Sequence, residues 1–107
     1  FCKIAAGEIP SNKVYEDDQC LAFYDIDPQA PTHFLVIRKA HIGSVAGVDE
    51  SNAAVVAHIF TVIAQQCKKL GLDSYRVVSN IGEQAGQSVP HLHFHVLAGR
   101  DMTWPPG

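Results

Sequence analysis

The feature that most constrains this chain is a short segment near its C-terminal end in which histidines alternate with apolar residues. The segment reads His91-Leu92-His93-Phe94-His95. Successive side chains of a β-strand point to opposite faces, so the alternation predicts a strand over residues 91–97 with three imidazoles on one face. The apolar side chains then lie on the other face, against a hydrophobic core. Three titratable rings on one face bring no packing advantage, so we interpret them as a functional site rather than a solvent-facing polar strand.

Length and composition restrict the classes of protein to which the chain can belong. Its 107 residues suffice for one domain, and 47% hydrophobic against 18% charged residues is typical of a globular fold. The formal net charge is −3, whereas proteins that bind nucleic acid are typically basic. The apolar runs, such as residues 34–37, are far shorter than the ~18 residues of a membrane span. We therefore expect a single domain over residues 1–107 with no nucleic-acid partner and no membrane segment.

The cysteines indicate a cellular compartment. Cys2, Cys20 and Cys67 are an odd number, and no two of them have a Cys-x-x-Cys spacing. Neither a disulfide framework nor a four-thiolate zinc site fits this pattern. Free thiols, together with the lack of a signal-peptide pattern, are typical of a cytoplasmic protein, and we expect that location.

The rest of the sequence predicts four more strands and one long helix. Strands are expected over residues 13–16, 20–25, 33–38 and 75–80, and a short helix over residues 1–8. The long helix is predicted over residues 49–70, with Asp49 as its N-cap, Gly71 at its end and His58 on its polar side. Its core-facing side chains are expected to be Val56, Ile59, Phe60, Ile63, Cys67 and Leu70. Strand pairs on both sides of one helix favour an α+β fold with a mostly antiparallel sheet.

Two chemistries suit a cluster of histidines. In the first, two strand histidines and a third ligand such as His33 hold zinc, although no Asp, Glu or Cys near the motif supplies a negative ligand. In the second, a neutral imidazole attacks phosphorus near pH 7. The loop over residues 82–88 contains glycines, glutamines and a serine, and such a loop can surround a phosphate with N–H groups. The loop and the histidines together indicate a phosphoryl or nucleotidyl substrate.

Four segments of the chain together match a known pattern. Residues 87–97 read Gln-Ser-Val-Pro-His-Leu-His-Phe-His-Val-Leu, and the chain ends in Trp-Pro-Pro-Gly at 104–107. With residues 23–26 and 30–37, these segments resemble the histidine triad family, and in particular its nucleotide-binding branch. The resemblance covers essentially the whole chain. Arg38 departs from the pattern, because many relatives carry proline there.

The resemblance implies a fold and an assembly. The family has a five-stranded antiparallel sheet with one long and one short helix, and two subunits pair into a homodimer with a continuous ten-stranded sheet. In this branch the C-terminal tail, residues 98–107 here, reaches towards the partner's active site, and Trp104 is the residue expected to matter. The resemblance implies no metal and no other cofactor.

The resemblance also implies an activity, the hydrolysis of purine nucleoside 5′-phosphoramidates, in which AMP or GMP is joined to an amine through phosphorus and nitrogen. His93 would be the nucleophile and would form a nucleotidyl-histidine intermediate that water then opens. The backbone carbonyl of His91 would orient the ring of His93, and His33 would lie beside it. The residues implied near the phosphate are His95, Ser88, Gln87 and Asn80.

Recognition of the nucleoside is implied in the same way. Asp25 matches the carboxylate that binds the two ribose hydroxyls, although an Asp shortly before Pro28 is by itself more typical of a turn. The remaining nucleotide-binding positions are apolar residues for the purine and one loop glycine: Phe1, Ile4, Ile9, Phe23, Ile26, Leu35 and Gly86. His41 also matches a family position, and no catalytic role is assigned to it.

Two other functions stay open from the sequence. One is hydrolysis of dinucleoside polyphosphates, by a sister branch with the same triad. The other is a non-catalytic module that binds a nucleotide or zinc. The Trp104 ending and the Gly-Gln-Ser-Val segment at 86–89 favour the phosphoramidase.

Overall fold

The computed structural model describes residues 12–107, which form one five-stranded antiparallel sheet and a helix. The strands are β1 (Lys13–Glu16), β2 (Cys20–Tyr24), β3 (Thr32–Arg38), β4 (Tyr75–Val78) and β5 (His93–Ala98), in the spatial order β1-β2-β3-β5-β4. Helix α1 (Ala53–Lys69) lies between β3 and β4 in the chain, and 3₁₀ turns lie at Val45–Gly47 and Glu83–Ala85. The α+β class and the antiparallel sheet are confirmed. The predicted short helix over residues 1–8 lies outside the described residues.

The two faces of the central strands have different partners. One face packs against α1 and forms the main core, which includes Cys20, Ala22, Phe34, Val36, Leu92, Phe94 and Val96. The other face carries a second apolar cluster of Leu21, Phe23, Leu35 and Ile37. Across the β3–β5 ladder His95 pairs with Leu35 and His93 with Ile37. Because directly paired residues point to the same side of a sheet, both histidines lie on the face opposite α1.

Helix α1 is shorter than predicted, and its buried face differs from the predicted one. The buried residues are Val55, Ile59, Val62, Ile63, Gln66 and Cys67. The prediction was wrong for Phe60 and Leu70, which are 46% and 40% exposed, and Val56 is only partly buried. The sheet covers one stripe of the helix, so side chains at the margin of the stripe stay in solvent. Phe60 keeps an edge contact with the ring of Phe94, with 5.2 Å between the ring centroids.

The two ends of α1 differ in how well the sequence predicted them. Asn52, not Asp49, occupies the N-cap position, and the Asp49 carboxylate instead accepts the Ser51 N–H at 2.8 Å within the preceding turn. At the other end Gly71 has a left-handed φ of +74°, and the N–H groups of Gly71 and Leu72 satisfy carbonyls of the last turn. This geometry confirms Gly71 as the end of the helix.

None of the helices that the structure describes has the length and apolar character required to cross a bilayer.

Candidate active site

A cleft of about 360 Å³ lies on the sheet face opposite α1. Its lining consists of Phe23, Asp25, Ile26, Leu35, Asn80, Gly86, Ser88, Val89, His93 and His95. All of these except Val89 were predicted from the sequence as site residues, and the fold brings them together from β2, β3, β5 and the loops beside them. Val89 was missed because an apolar residue between a serine and a proline carries no chemical signal. Phe1, Ile4 and Ile9, expected beside the purine, lie outside the described residues.

The ring of His93 is held in one tautomer by the backbone. Its Nδ1 lies 2.6 Å from the carbonyl oxygen of His91. A carbonyl can only accept a hydrogen bond, so Nδ1 carries the proton and Nε2 of the neutral ring has a lone pair. The Ser79 hydroxyl also donates to the His93 carbonyl at 2.9 Å and fixes the strand at this point. A neutral His93, which is 6% exposed, therefore has a lone pair on Nε2 that is chemically capable of nucleophilic attack.

The ring of His95 is held in the opposite tautomer. The backbone N–H of Gln29 donates to Nδ1 of His33 at 3.0 Å, so His33 carries its proton on Nε2. That nitrogen lies 2.9 Å from Nδ1 of His95 and donates to it, which places the proton of His95 on Nε2. A neutral His95 in this chain of bonds is a hydrogen-bond donor at Nε2.

The electrostatics of the cleft keep this pair of histidines neutral at pH 7. Burial, followed by the nearby rings of His93 and His33, lowers the pKa of His95 to about 4. Burial also lowers the pKa of His33, although the charges of Asp25 and Asp27 oppose this effect. The donor at Nε2 of His95 therefore does not depend on protonation of the ring, and the cleft gains no positive charge from this pair at neutral pH.

His91 differs from the other two histidines of the motif. Strand β5 begins at His93, so the predicted strand over residues 91–97 starts two residues too early. His91 is 2% exposed, and Nε2 of its ring donates to the Arg38 carbonyl at 2.8 Å. The centroid of the ring lies 5.2 Å from the ring centroid of His41. This ring fastens the segment before β5 to the end of β3. Its position aims the His91 carbonyl at His93, as the resemblance implied.

The loop before the triad is braced by its own side chains. Oε1 of Gln87 accepts the Gly82 N–H at 2.9 Å, and Nε2 donates to the carbonyls of Gly43 and Val89 at 2.7 and 3.1 Å. Gly82 and Gly86 have φ values of +83° and +94°, a region that favours glycine. The Gln87 amide thus shapes the loop, and its contact with phosphate stays a prediction.

Asp25 lies at the rim of the cleft, immediately after the end of β2. Its Oδ1 accepts the Asp27 N–H at 2.8 Å, and its Oδ2 lies 3.5 Å from Nε2 of His33. Both the turn role and the proximity to the histidines therefore apply to this carboxylate. Ile26 beside it is fully exposed, and Trp104 in the tail is 82% exposed and does not line the cleft.

One group of cleft residues has the donor atoms for a metal ion. Ligand atoms of Asp25, His33 and His95 all lie within 4.8 Å of one another. The two imidazole nitrogens that face each other are already joined by the 2.9 Å hydrogen bond, and a metal ion between them has to break it.

Known proteins with similar sequences and structures carry related descriptions. The HIT domain family model matches residues 6–102. Protein pkiA of Dictyostelium discoideum is 49% identical over 111 residues, which cover 100% of this chain and 87% of that protein. A crystal structure of a HIT family hydrolase from Legionella pneumophila is 48% identical, with a TM-score of 0.97 over 100% of this chain and 97% of the other. A histidine triad protein from Clostridium difficile is also 48% identical, with a TM-score of 0.93 over 96% and 91%.

Proposed function

The chain belongs to the HIT domain family, and we propose that it hydrolyses purine nucleoside 5′-phosphoramidates through a nucleotidyl intermediate on His93. The observation that carries the proposal is the 2.6 Å hydrogen bond between Nδ1 of His93 and the His91 carbonyl. It leaves the Nε2 lone pair of a buried imidazole at a cleft that has room for a ligand. The solved relatives include HIT family hydrolases, which supports a hydrolytic reaction.

The reaction proceeds in two displacements at the α-phosphorus. Nε2 of His93 attacks phosphorus, the phosphorus–nitrogen bond breaks, and the amine leaves with a proton taken from solvent, which the water of the second displacement later returns. The Nδ1–H of the imidazolium that forms still donates its hydrogen bond to the His91 carbonyl, which stabilises the positive charge. Water then attacks the nucleotidyl-histidine, the monophosphate leaves, and His93 returns to its neutral form. The donors for the phosphate oxygens are Ser88 and Nε2 of His95, both of which line the cleft.

The nucleoside occupies the apolar end of the cleft. Phe23 and Leu35 are buried side chains of neighbouring strands and offer a flat apolar wall to a purine. Ile26 is fully exposed at the rim, where a bound base can cover it. The carboxylate of Asp25 accepts hydrogen bonds from the ribose hydroxyls. Apolar contact of this kind selects a planar base by shape, so adenine and guanine both fit.

The test is a turnover assay on adenosine 5′-phosphoramidate of a fluorescent amine, with EDTA present. Wild type is expected to release the amine, and His93→Gly is expected to lose at least about four powers of ten, or roughly 5 kcal/mol of barrier. Added imidazole is expected to restore part of the rate in His93→Gly, because it fits the space left by the side chain. His58→Ala serves as a matched control, since His58 lies on α1 and does not line the cleft.

Two results would refute the proposal. If diadenosine polyphosphate is cleaved and the phosphoramidate is not, the chain acts like the sister branch of the family. If nucleotide binds but neither substrate turns over, the chain is a binding module. Quenching with denaturant at alkaline pH, in which a phosphorus–nitrogen bond to imidazole survives, is expected to trap a radiolabelled nucleotide on wild type and not on His93→Gly, which tests the covalent step directly.

We also propose that the chain acts as a homodimer through β4. Strand β4 is at one edge of the sheet, with β5 on its other side, and Tyr75 at its start is 38% exposed. Arg76 on β4 donates to the Thr103 carbonyl at 3.0 Å, which holds the C-terminal tail beside the same edge. Pairing of two β4 strands gives a ten-stranded sheet and brings the exposed Trp104 towards a partner subunit.

Cys20 and Cys67 are free thiols, which is consistent with a cytoplasmic location.

A further inference from the structure

A second group of potential ligands lies away from the cleft, between the β1–β2 turn and helix α1. Asp17 belongs to the turn, Cys20 is the first residue of β2, and His58 lies on α1. One ligand atom from each residue lies within 4.8 Å of the other two. None of the three lines the cleft. The sequence suggested only a histidine on the polar side of the helix and a free thiol here, because the three residues are far apart in the chain.

The turn holds the carboxylate of Asp17 in a defined orientation. Its Oδ1 accepts the N–H groups of Gln19 and Cys20 at 2.8 and 2.9 Å, so this oxygen belongs to the turn. Its Oδ2 accepts the Tyr15 hydroxyl at 3.0 Å and lies 2.6 Å from Nε2 of His58. One carboxylate oxygen therefore faces the imidazole, and it has an outer hydrogen bond of the kind that orients metal ligands.

The distances fit a small tetrahedral ion. Zinc bonds of about 2.0 Å to nitrogen and oxygen and about 2.3 Å to sulfur place neighbouring ligand atoms roughly 3.3–3.6 Å apart. The present separations, from 2.6 Å up to at most 4.8 Å, lie on both sides of that range. Small side-chain rotations therefore bring all three atoms to bonding distance while the backbone of the turn stays in place.

The chemistry of the donors restricts the metal. A thiolate and an imidazole with one carboxylate suit zinc, whereas Mg²⁺ and Ca²⁺ require mainly oxygen ligands. Cys20 is fully buried and His58 is partly exposed, next to the exposed residues Asp18 and Gln19. The sulfur thus approaches the site from the core, and a fourth position on the solvent side is available to water.

We propose that Asp17, Cys20 and His58 form a zinc-binding site that clamps the β1–β2 hairpin to helix α1. Zinc replaces the thiol proton of Cys20 and any proton shared by His58 and Asp17, and these protons are released to solvent. The bound ion joins two elements that are otherwise linked here by the contact between Asp17 and His58. Zinc binding at this site is expected to raise the unfolding temperature without contributing to the hydrolysis.

The test uses Co²⁺ as a spectroscopic substitute for Zn²⁺ in the full chain. A Cys2→Ser/Cys67→Ser variant leaves Cys20 as the single thiol. This variant is expected to develop the near-ultraviolet charge-transfer absorption of a cobalt–thiolate bond, and added Zn²⁺ is expected to abolish it by displacement. His58→Gln in the same background is expected to weaken Co²⁺ binding at least tenfold, while His95→Asn, which alters the other group of potential ligands, leaves it unchanged.

The outcomes separate this site from the cleft. Absorption that is absent in the single-thiol variant, or that is indifferent to His58→Gln, overturns the proposal. Circular dichroism confirms that each variant is folded, and all of the variants keep Cys20. Wild type is expected to gain at least several degrees of unfolding temperature with Zn²⁺, and His58→Gln is expected to gain none. Hydrolysis in EDTA is measured independently, so failure of the zinc site and failure of the proposed activity give different results.

Discussion

Acidification is expected to destabilise the fold between pH 6.5 and about 4, because the folded protein keeps His95 neutral in this range. Burial, followed by the rings of His93 and His33, lowers the pKa of His95 from 6.5 to about 4. In this window the unfolded chain binds a proton that the folded chain does not. Stability is therefore fully present above the unfolded pKa and falls as pH falls through the window. Below about pH 4 both states are protonated, and this contribution changes no further.

The hydrogen-bond chain explains why the folded protein resists this proton. A proton added to Nδ1 of His95 faces the Nε2 proton of His33 across 2.9 Å. His33 cannot move its proton to Nδ1, because the Gln29 N–H already points at that nitrogen from 3.0 Å. Protonation of His95 thus requires at least one of these bonds to break, whereas in the unfolded chain the ring is solvated and titrates freely.

The magnitude follows from the two pKa values. A group that titrates at 6.5 when unfolded and at about 4 when folded loses about 2 kcal/mol of stability between pH 8 and pH 5. Since His95 is partly exposed, screening by water reduces this to about 1 kcal/mol. Burial also lowers the pKa values of His33 and His91, which add losses of the same sign. The amines of Lys13 and Lys39 lower the pKa of Glu16 to about 2, so Glu16 titrates below this pH window.

Urea unfolding followed by circular dichroism at pH 8, 6.5 and 5 measures the effect. Wild type is expected to lose more stability over this range than His95→Gln, by about 1 kcal/mol, because glutamine does not titrate. Glu16→Gln serves as the control, since hydrogen bonds from the amines of Lys13 and Lys39 lower the pKa of Glu16 to about 2, below this range. Equal losses in wild type and His95→Gln, or stability that rises on acidification, would refute the reasoning.

Three further outcomes are expected. Asp25→Asn removes a charged acceptor of the ribose hydroxyls. In steady-state assays it is expected to raise KM roughly 10- to 100-fold for ribonucleoside substrates but not for 2′,3′-dideoxy analogues. Equal effects on both kinds of substrate contradict the assignment. Phe34→Ala empties a fully buried position of the main core and lowers the free energy of unfolding by about 3–5 kcal/mol in urea, whereas a loss below 1 kcal/mol contradicts the packing. Tyr75→Asp halves the mass of the dimer in light scattering, and an unchanged mass excludes β4 from the interface.

The sheet could be predicted from the sequence because its strands carry local signals. The alternation around His93 and the apolar runs of β2 and β3 specify strand faces within a few residues, and the five strands lie where they were expected. The buried face of α1 was harder to predict. Phe60 is as apolar as Ile59, and only the position of the sheet decides that Ile59 is buried and Phe60 is 46% exposed.

The cleft could be predicted only in part. The histidines, Ser88 and Asp25 carry chemical groups that a sequence displays, and the family resemblance located them. The groups that fix the tautomers of the histidines are not side chains. They are the backbone carbonyl of His91 and the backbone N–H of Gln29. Every residue has a backbone carbonyl, and every residue except proline has a backbone N–H. No pattern of residue types therefore predicts which of these groups contact the histidines.

These backbone groups give two histidines of one strand opposite chemical roles. His93 and His95 are two residues apart on the same face, with their ring centroids 5.0 Å apart. The His91 carbonyl keeps the proton of one ring on Nδ1, and the chain from Gln29 through His33 keeps the proton of the other on Nε2. One ring is therefore left with a lone pair at Nε2 and its neighbour with a donor at Nε2. In the proposed reaction, a nucleophile and a hydrogen-bond donor for the same phosphoryl group thus come from identical side chains.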